Sequence, residues 1–238
     1  MANYTGRTAG IGLNEYEHPL LFYVGSGRQP HSRQRSGEVK GDVVRIVPSG
    51  KMTEAQGLRE DTLFYDAIQT NGRKGIALAS SGIKPMYFKL FPGSNETHKT
   101  PDHVLLSRAL AESYQHDMSP KDEIVPIVGA FIGANGVGAL GFVSREDSGS
   151  SIIKLSDTGR VFYVSSCNPL SLRDDQRTIL PELEIPAGSA EMRGRTAQEI
   201  ANNVFELMGG KDSERVFCAA AALWLPDERR WDLAVKDK

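Results

Sequence analysis

The stretch "LLFYVGSGRQPHSRQRSGEV" (20–39) runs from an apolar segment through glycines into Arg28, His31, Arg33 and Arg35. Arg28 and Arg33 carry forked guanidinium donors that suit a phosphate. Gly25 and Gly27 let backbone N–H groups approach an anion. The same residues would also make a solvated hairpin tip. A second candidate is Tyr65 beside Asp66 in "LFYDAI". A phenol and a carboxylate can donate and accept protons, although a tyrosine in such a run also packs as a plain aromatic. A third is "ASSG" (79–82), a strand end with two hydroxyls that either binds a ligand or turns the chain. The five histidines (18, 31, 98, 103 and 116) show no metal-ligand spacing, so no metal is assigned. Ala2 follows Met1, so removal of Met exposes no Ser, Thr or Cys nucleophile, and no GxSxG motif occurs.

Composition narrows the partners. Lys plus Arg is 28 and Asp plus Glu is 30, a net charge near −2, so an anion site must be local and general attraction to nucleic acid or membrane is not indicated. The 238 residues, 39% hydrophobic, suffice for a single domain over 1–238. Cys167 and Cys218 lie in apolar, strand-like runs and read as buried thiols in a reducing compartment. "MANYTGRTAG" lacks the order of a signal peptide, and no run approaches the ~20 apolar residues of a membrane span. A soluble cytoplasmic protein is expected.

The elements that must position these residues are mostly strands. Thr8–Leu13, Leu20–Val24, Val43–Val47 and Gly75–Ser80 are short, β-rich and bounded by turn residues. Residues 63–70 fit a strand or a short helix. Thr100 and Pro101 open a helix with an apolar stripe at Leu105, Leu106, Ala109 and Leu110. "GANGVG" reads as a hairpin turn at Asn135-Gly136, because no helix follows and no Lys-Ser/Thr ends it. Strands follow at Ser151–Leu155 and Arg160–Ser165. Residues 168–195 read as a loop. Thr196-x-x-Glu199 forms a capping box for a second helix, and 215–237 reads as a closing hairpin. About ten strands and two helices without regular alternation predict an α+β fold of two packed sheets, each covered by a helix.

In order, these segments resemble the archaeal-type IMP cyclohydrolase family. Tyr4-Thr5-Gly6-Arg7 is similar to its opening Tyr-x-Gly-Arg strand, "GRQPHSRQR" to its Arg-Ser-x-x-x-(S/N)-Arg loop, and "LFYDAIQTNGRKGIALASSG" to its Tyr-Asn segment and Ser-Asn-Gly strand end. The resemblance covers most of the chain, and its specificity lies in the order of short motifs. It implies a four-layer αββα sandwich like that of N-terminal-nucleophile hydrolases, without the nucleophile. It implies closure of a formamido-imidazole-carboxamide ribonucleotide to IMP with loss of water, without metal or organic cofactor, and an oligomer. Tyr65 and Arg28 would then be catalytic, with Asp66 beside Tyr65 and Glu123 just before "VPIV" as further acid/base candidates. Arg33, Gly27, Ser32, Ser81, Gly82 and Arg7 would bind the nucleotide.

Three positions depart from the family pattern. Asp66 stands where Asn is usual, Ser81 replaces the Asn of Ser-Asn-Gly, and Ile127 in "VPIV" stands where an arginine is expected. Isoleucine cannot bind an anion. The departures leave two other readings open: a divergent cyclase or dehydratase acting on a related nucleotide in specialised nucleoside biosynthesis, or a non-catalytic nucleotide-binding protein.

Overall fold

A computed structural model describes residues 6–27, 33–49, 65–79, 102–115, 126–144, 148–166, 187–209 and 215–238. These residues hold thirteen strands: β1 (Thr8–Leu13), β2 (Pro19–Ser26), β3 (Arg35–Lys40), β4 (Val43–Pro48), β5 (Tyr65–Asn71), β6 (Lys74–Ala79), β7 (Ile127–Gly133), β8 (Val137–Val143), β9 (Ser148–Lys154), β10 (Arg160–Ser165), β11 (Ala187–Glu191), β12 (Val216–Leu225) and β13 (Arg230–Asp237). Helix α1 (Asp102–Gln115) precedes β7, and α2 (Ala197–Leu207) precedes β12.

The strands form two antiparallel sheets. Sheet I has the order β11-β10-β1-β2-β12-β13, and sheet II has the order β3-β4-β5-β6-β7-β8-β9. The sheets stack face to face, with β13 over β3, β12 over β5, β2 over β6 and β1 over β7. Alternation along each strand sends one set of side chains into the gap. Ile11, Tyr23, Ala220 and Trp231 from sheet I meet Ile46, Tyr65, Ala130 and Leu140 from sheet II there. Outside sheet I, Ile200, Val204 and Phe205 of α2 pack on Leu20, Phe22 and Leu223. Outside sheet II, Leu106 and Leu110 of α1 pack on Leu78, Phe131 and Ala139. Central strands are therefore buried on both faces, and the small residues of "FCAAAALW" let sheet and helix close on β12.

The α+β expectation, and with it the αββα sandwich, is corrected by this architecture. The protein is mostly β: two antiparallel sheets of thirteen strands carry the structure, and the described residues hold only two helices, of 14 and 11 residues. Other corrections are local. The ambiguous segment 63–70 is the strand β5. The basic stretch continues into a strand, β3, at Arg35. Ala187–Glu191 in the expected loop is the edge strand β11. At α2, the Thr196 hydroxyl accepts the Glu199 N–H at 3.1 Å, as in a capping box, but the Glu199 carboxylate takes the Arg195 N–H at 2.6 Å. At the β7–β8 turn the left-handed residue is Gly136 (φ +71°), and Asn135 accepts the Val137 N–H.

No helix among the described residues is long and apolar enough to cross a membrane, which leaves strand-built membrane proteins unaddressed.

Candidate functional site

The site candidates gather at the end of the sandwich where β2 finishes and β12 begins. Cys218 lies opposite Gly25 on one side and Asp237 on the other. Thr8 lies opposite Val24 and Ser165, so one step further out Arg7 falls beside Gly25. Ser166 clamps Arg7 there, donating its N–H to the Arg7 carbonyl at 2.8 Å and accepting the Arg7 N–H on Oγ at 2.9 Å. Arg7 shares the inward face of β1 with Ala9 and Ile11. The last inward row of sheet I therefore reads Ser166, Arg7, Gly25, Cys218, Asp237. Small residues separate the arginine from the aspartate. Gly25 is required, because a Cβ there would lie 2.5 Å from the Phe217 ring.

One row deeper stands Tyr23, fully buried. Its hydroxyl is 2.6 Å from that of Tyr65, which enters from the first position of β5 in the facing sheet. The rings meet edge to face at 6.4 Å. The Arg7 and Arg35 guanidinium carbons each lie 5.9 Å from the Tyr65 ring centroid.

Either hydroxyl can donate in this pair, and both are buried. Whichever accepts keeps its own proton for a further acceptor, and the Arg7 and Arg35 guanidiniums near the Tyr65 ring only donate. Burial, then the neighbouring Tyr65, pushes the Tyr23 phenol well above its usual range, so it stays neutral.

Beside Arg35 a cavity of about 520 Å³ opens, lined by Arg33, Arg35, Ser49, Phe217, Asp237 and Lys238. Arg35 Nε is buried without a hydrogen-bond partner. Asp237 Oδ1 accepts the Gly37 N–H at 2.8 Å, and burial raises its carboxyl above the ordinary range. Cys218 is a free buried thiol, pushed upward first by burial and then by Asp237. Two guanidiniums and an ammonium can hold a phosphate here, and Phe217 offers an apolar wall. A second cavity, of about 430 Å³ near Glu15, Asp157 and Glu191, has Asp157 paired with Arg160 and Glu191 with Arg193. Among the described residues no group of three or more His, Cys, Asp or Glu could hold a metal ion.

Of the residues singled out in the sequence, Arg7, Arg33 and Tyr65 come together at this end. Asp66 does not join Tyr65. It points from the opposite face of β5 and pairs with Arg45 at 2.7 Å. The amide of Gly27 is spent on the Arg215 carbonyl at 2.9 Å. Ile127 lies in the core beneath α1, facing away from the gap that holds Tyr65. Arg28, Ser32, Ser81, Gly82, Glu123 and Cys167 lie outside the described residues.

Arg35 was noted only as part of the basic stretch, and Tyr23, Lys238 and Asp237 were not anticipated. The period-2 pattern could have found the last. Trp231, Leu233, Val235 and Asp237 occupy alternate positions of β13, so a carboxylate ends an inward apolar row. Comparison of the chain with protein-family models gives no match, and comparison with curated proteins gives none.

Proposed function

We propose that this chain closes a formamido-imidazole-carboxamide ribonucleotide to IMP, releasing water. One observation carries the reading: the Tyr65 hydroxyl lies 2.6 Å from that of Tyr23, and the Arg7 and Arg35 guanidinium carbons each lie 5.9 Å from the Tyr65 ring centroid. Such an arrangement complements an oxygen acquiring negative charge. In the ring closure that oxygen is the formyl oxygen, after the carboxamide nitrogen adds to the formyl carbon. Tyr65 donates to it, and Arg7 and Arg35 lower its energy electrostatically. Arg33 and Lys238 in the adjoining cavity take the phosphate. Tyr23 holds Tyr65 in the donating orientation.

The test is direct. Purified protein is mixed with the formylated ribonucleotide and ring closure is followed by ultraviolet absorbance. Turnover by the wild type, lowered at least a hundredfold in Tyr65→Phe, supports the reading. Absence of turnover by the wild type sinks it.

One observation favours a second reading. Ile127 is sealed beneath α1 and Asp66 is tied to Arg45, so neither departure from the family pattern is repaired by a neighbour among the described residues. A related nucleotide substrate, or binding without turnover, accommodates that. Turnover of an analogue alone, or tight IMP binding without turnover, selects it.

A further inference from the structure

We infer that Asp237 is the proton acceptor of this ring closure: its carboxylate takes a proton from the attacking carboxamide nitrogen and passes it to the departing formyl oxygen. The inference rests on the proposed reaction and names a group that reading lacks.

The reaction must move two protons. A C–N bond forms between the carboxamide nitrogen and the formyl carbon, and the C–O bond of the former formyl group breaks. The oxygen leaves as water with two protons, one from the carboxamide nitrogen and one from the formamide nitrogen. A base must accept the first. Among the described side chains lining the cavity, Arg33, Arg35 and Lys238 offer donors only, and Gln34, Ser36 and Ser49 are not bases at neutral pH. Cys218 is held neutral by burial, and so is the Tyr23 phenol. Asp237 remains.

Its geometry suits the task. Asp237 sits in the last inward row of sheet I, opposite Cys218. Oδ1 is held by the Gly37 N–H, which fixes the plane of the carboxylate. Among the described residues Oδ2 takes no hydrogen bond and Asp237 makes no ion pair, which suits a base. The Tyr23–Tyr65 pair stands two strands away and one row deeper, about 12 Å between the Tyr23 and Asp237 Cα atoms at ordinary strand spacings. Arg35 lies between them, contacting the Tyr65 ring and lining the cavity with Asp237. The acid side and the base side thus flank one guanidinium. Half-burial raises the carboxyl, which makes its conjugate base a better proton acceptor. The charged or titratable groups facing it are Cys218 from β12, Arg35 from β3, Lys236 on its own strand, and Arg33 and Lys238 around the cavity.

The experiment compares the wild type with Asp237→Asn, which keeps Oδ1 for the Gly37 N–H. Turnover of the formylated ribonucleotide is measured from pH 4.5 to 9, and IMP affinity by calorimetry. The expected result is a fall in kcat of about 10²–10⁴-fold, with loss of the acidic limb of the pH profile and an IMP Kd within threefold of wild type. Asp237→Glu should retain more activity than Asp237→Asn. A kcat within threefold of wild type in Asp237→Asn overturns the inference alone. So does a fall in kcat accompanied by an equal loss of IMP affinity, which would make Asp237 a binding group. No turnover by the wild type overturns the inference together with the proposed reaction.

Discussion

The hydroxyl oxygens of Tyr23 and Tyr65 lie 2.6 Å apart, one delivered by each sheet. Each phenol has one proton, so the pair can satisfy only one donor internally. In the proposed reaction Tyr23 is the donor, which leaves the Tyr65 proton for the substrate. Tyr23→Phe removes the donor and frees Tyr65 to rotate. Stability should fall by about 1 kcal/mol, a Tm shift of about 2–4 °C in a chain of this size. Turnover should fall at least tenfold with substrate KM nearly unchanged, because the ground state loses no contact. Steady-state kinetics beside thermal melts would decide it: a change confined to KM contradicts the orienting role.

The buried thiol and phenols make stability sensitive to alkali. Burial raises Cys218 above 9.0, Tyr23 well above 10.0 and Tyr163 to about 12. The folded state then holds protons that the unfolded chain releases. Each group contributes its full stability below its unfolded pKa and loses it as pH rises toward the folded value. Stability, followed by melting temperature, should therefore show no slope from these groups between pH 7 and 9, and fall above pH 9 by at most about 1.4 kcal/mol per pH unit per group. Cys218→Ala should flatten the first part of that fall. An unchanged slope between pH 9 and 10 in that variant would assign the loss to other groups.

Asp66 offers a contrast with its neighbour Tyr65. Its carboxylate is 2.7 Å from Arg45 Nε on the far face of β5, and the two side chains are 13% and 39% exposed. A partly exposed pair of this kind contributes about 0.2–1 kcal/mol. A double-mutant cycle with Asp66→Ala and Arg45→Ala should return a coupling of that size, weakening in salt. Turnover should stay within threefold of wild type in Asp66→Ala. A hundredfold loss would bring the carboxylate back into the chemistry.

Gly25 keeps the row between Arg7 and Asp237 low. A Cβ at that position would lie 2.5 Å from two atoms of the Phe217 ring and 3.0 Å from Cys218 Sγ. Gly25→Ala must push the ring into the cavity or bend the strand. Overpacking of this kind costs about 1–3 kcal/mol. Thermal melts and IMP affinity should both decline, and an unaltered Kd would show that Phe217 does not border the ligand.

Particular residues explain what was legible in the sequence. Thr8–Leu13, Arg160–Ser165 and both helices were readable because apolar periodicity, a cap or a turn residue marked each one. β3 ("RSGEVK"), β9 ("SGSSIIK") and β11 ("AGSAE") carry little apolar signal, since edge strands need bury only part of one face. Two well-marked helices against several weakly marked strands tilt a reading toward α+β. The site divides in the same way. Tyr65 and the arginines stood out by residue type. Tyr23 was hidden inside an apolar run, and Asp237 became meaningful only once β13 was paired with β12. Asp66 misled because neighbours in a strand point to opposite faces.

Ile127 gives the sharpest test of how far the family pattern transfers. An arginine there cannot reach Tyr65, because the side chain at 127 points beneath α1 among Leu78, Leu106 and Leu110 and is 1% exposed. Ile127→Arg should bury a cation without a partner, at a cost of about 3–5 kcal/mol. The variant should melt far below the wild type and gain no turnover, while Ile127→Leu, which conserves volume, should cost less than about 1.5 kcal/mol. Differential scanning calorimetry of both variants, with the ring-closure assay alongside, provides the measurement. A folded Ile127→Arg with raised activity would mean that β7 turns its first residue toward the inter-sheet gap, and the separation of the α1 core from the Tyr65 site would have to be abandoned.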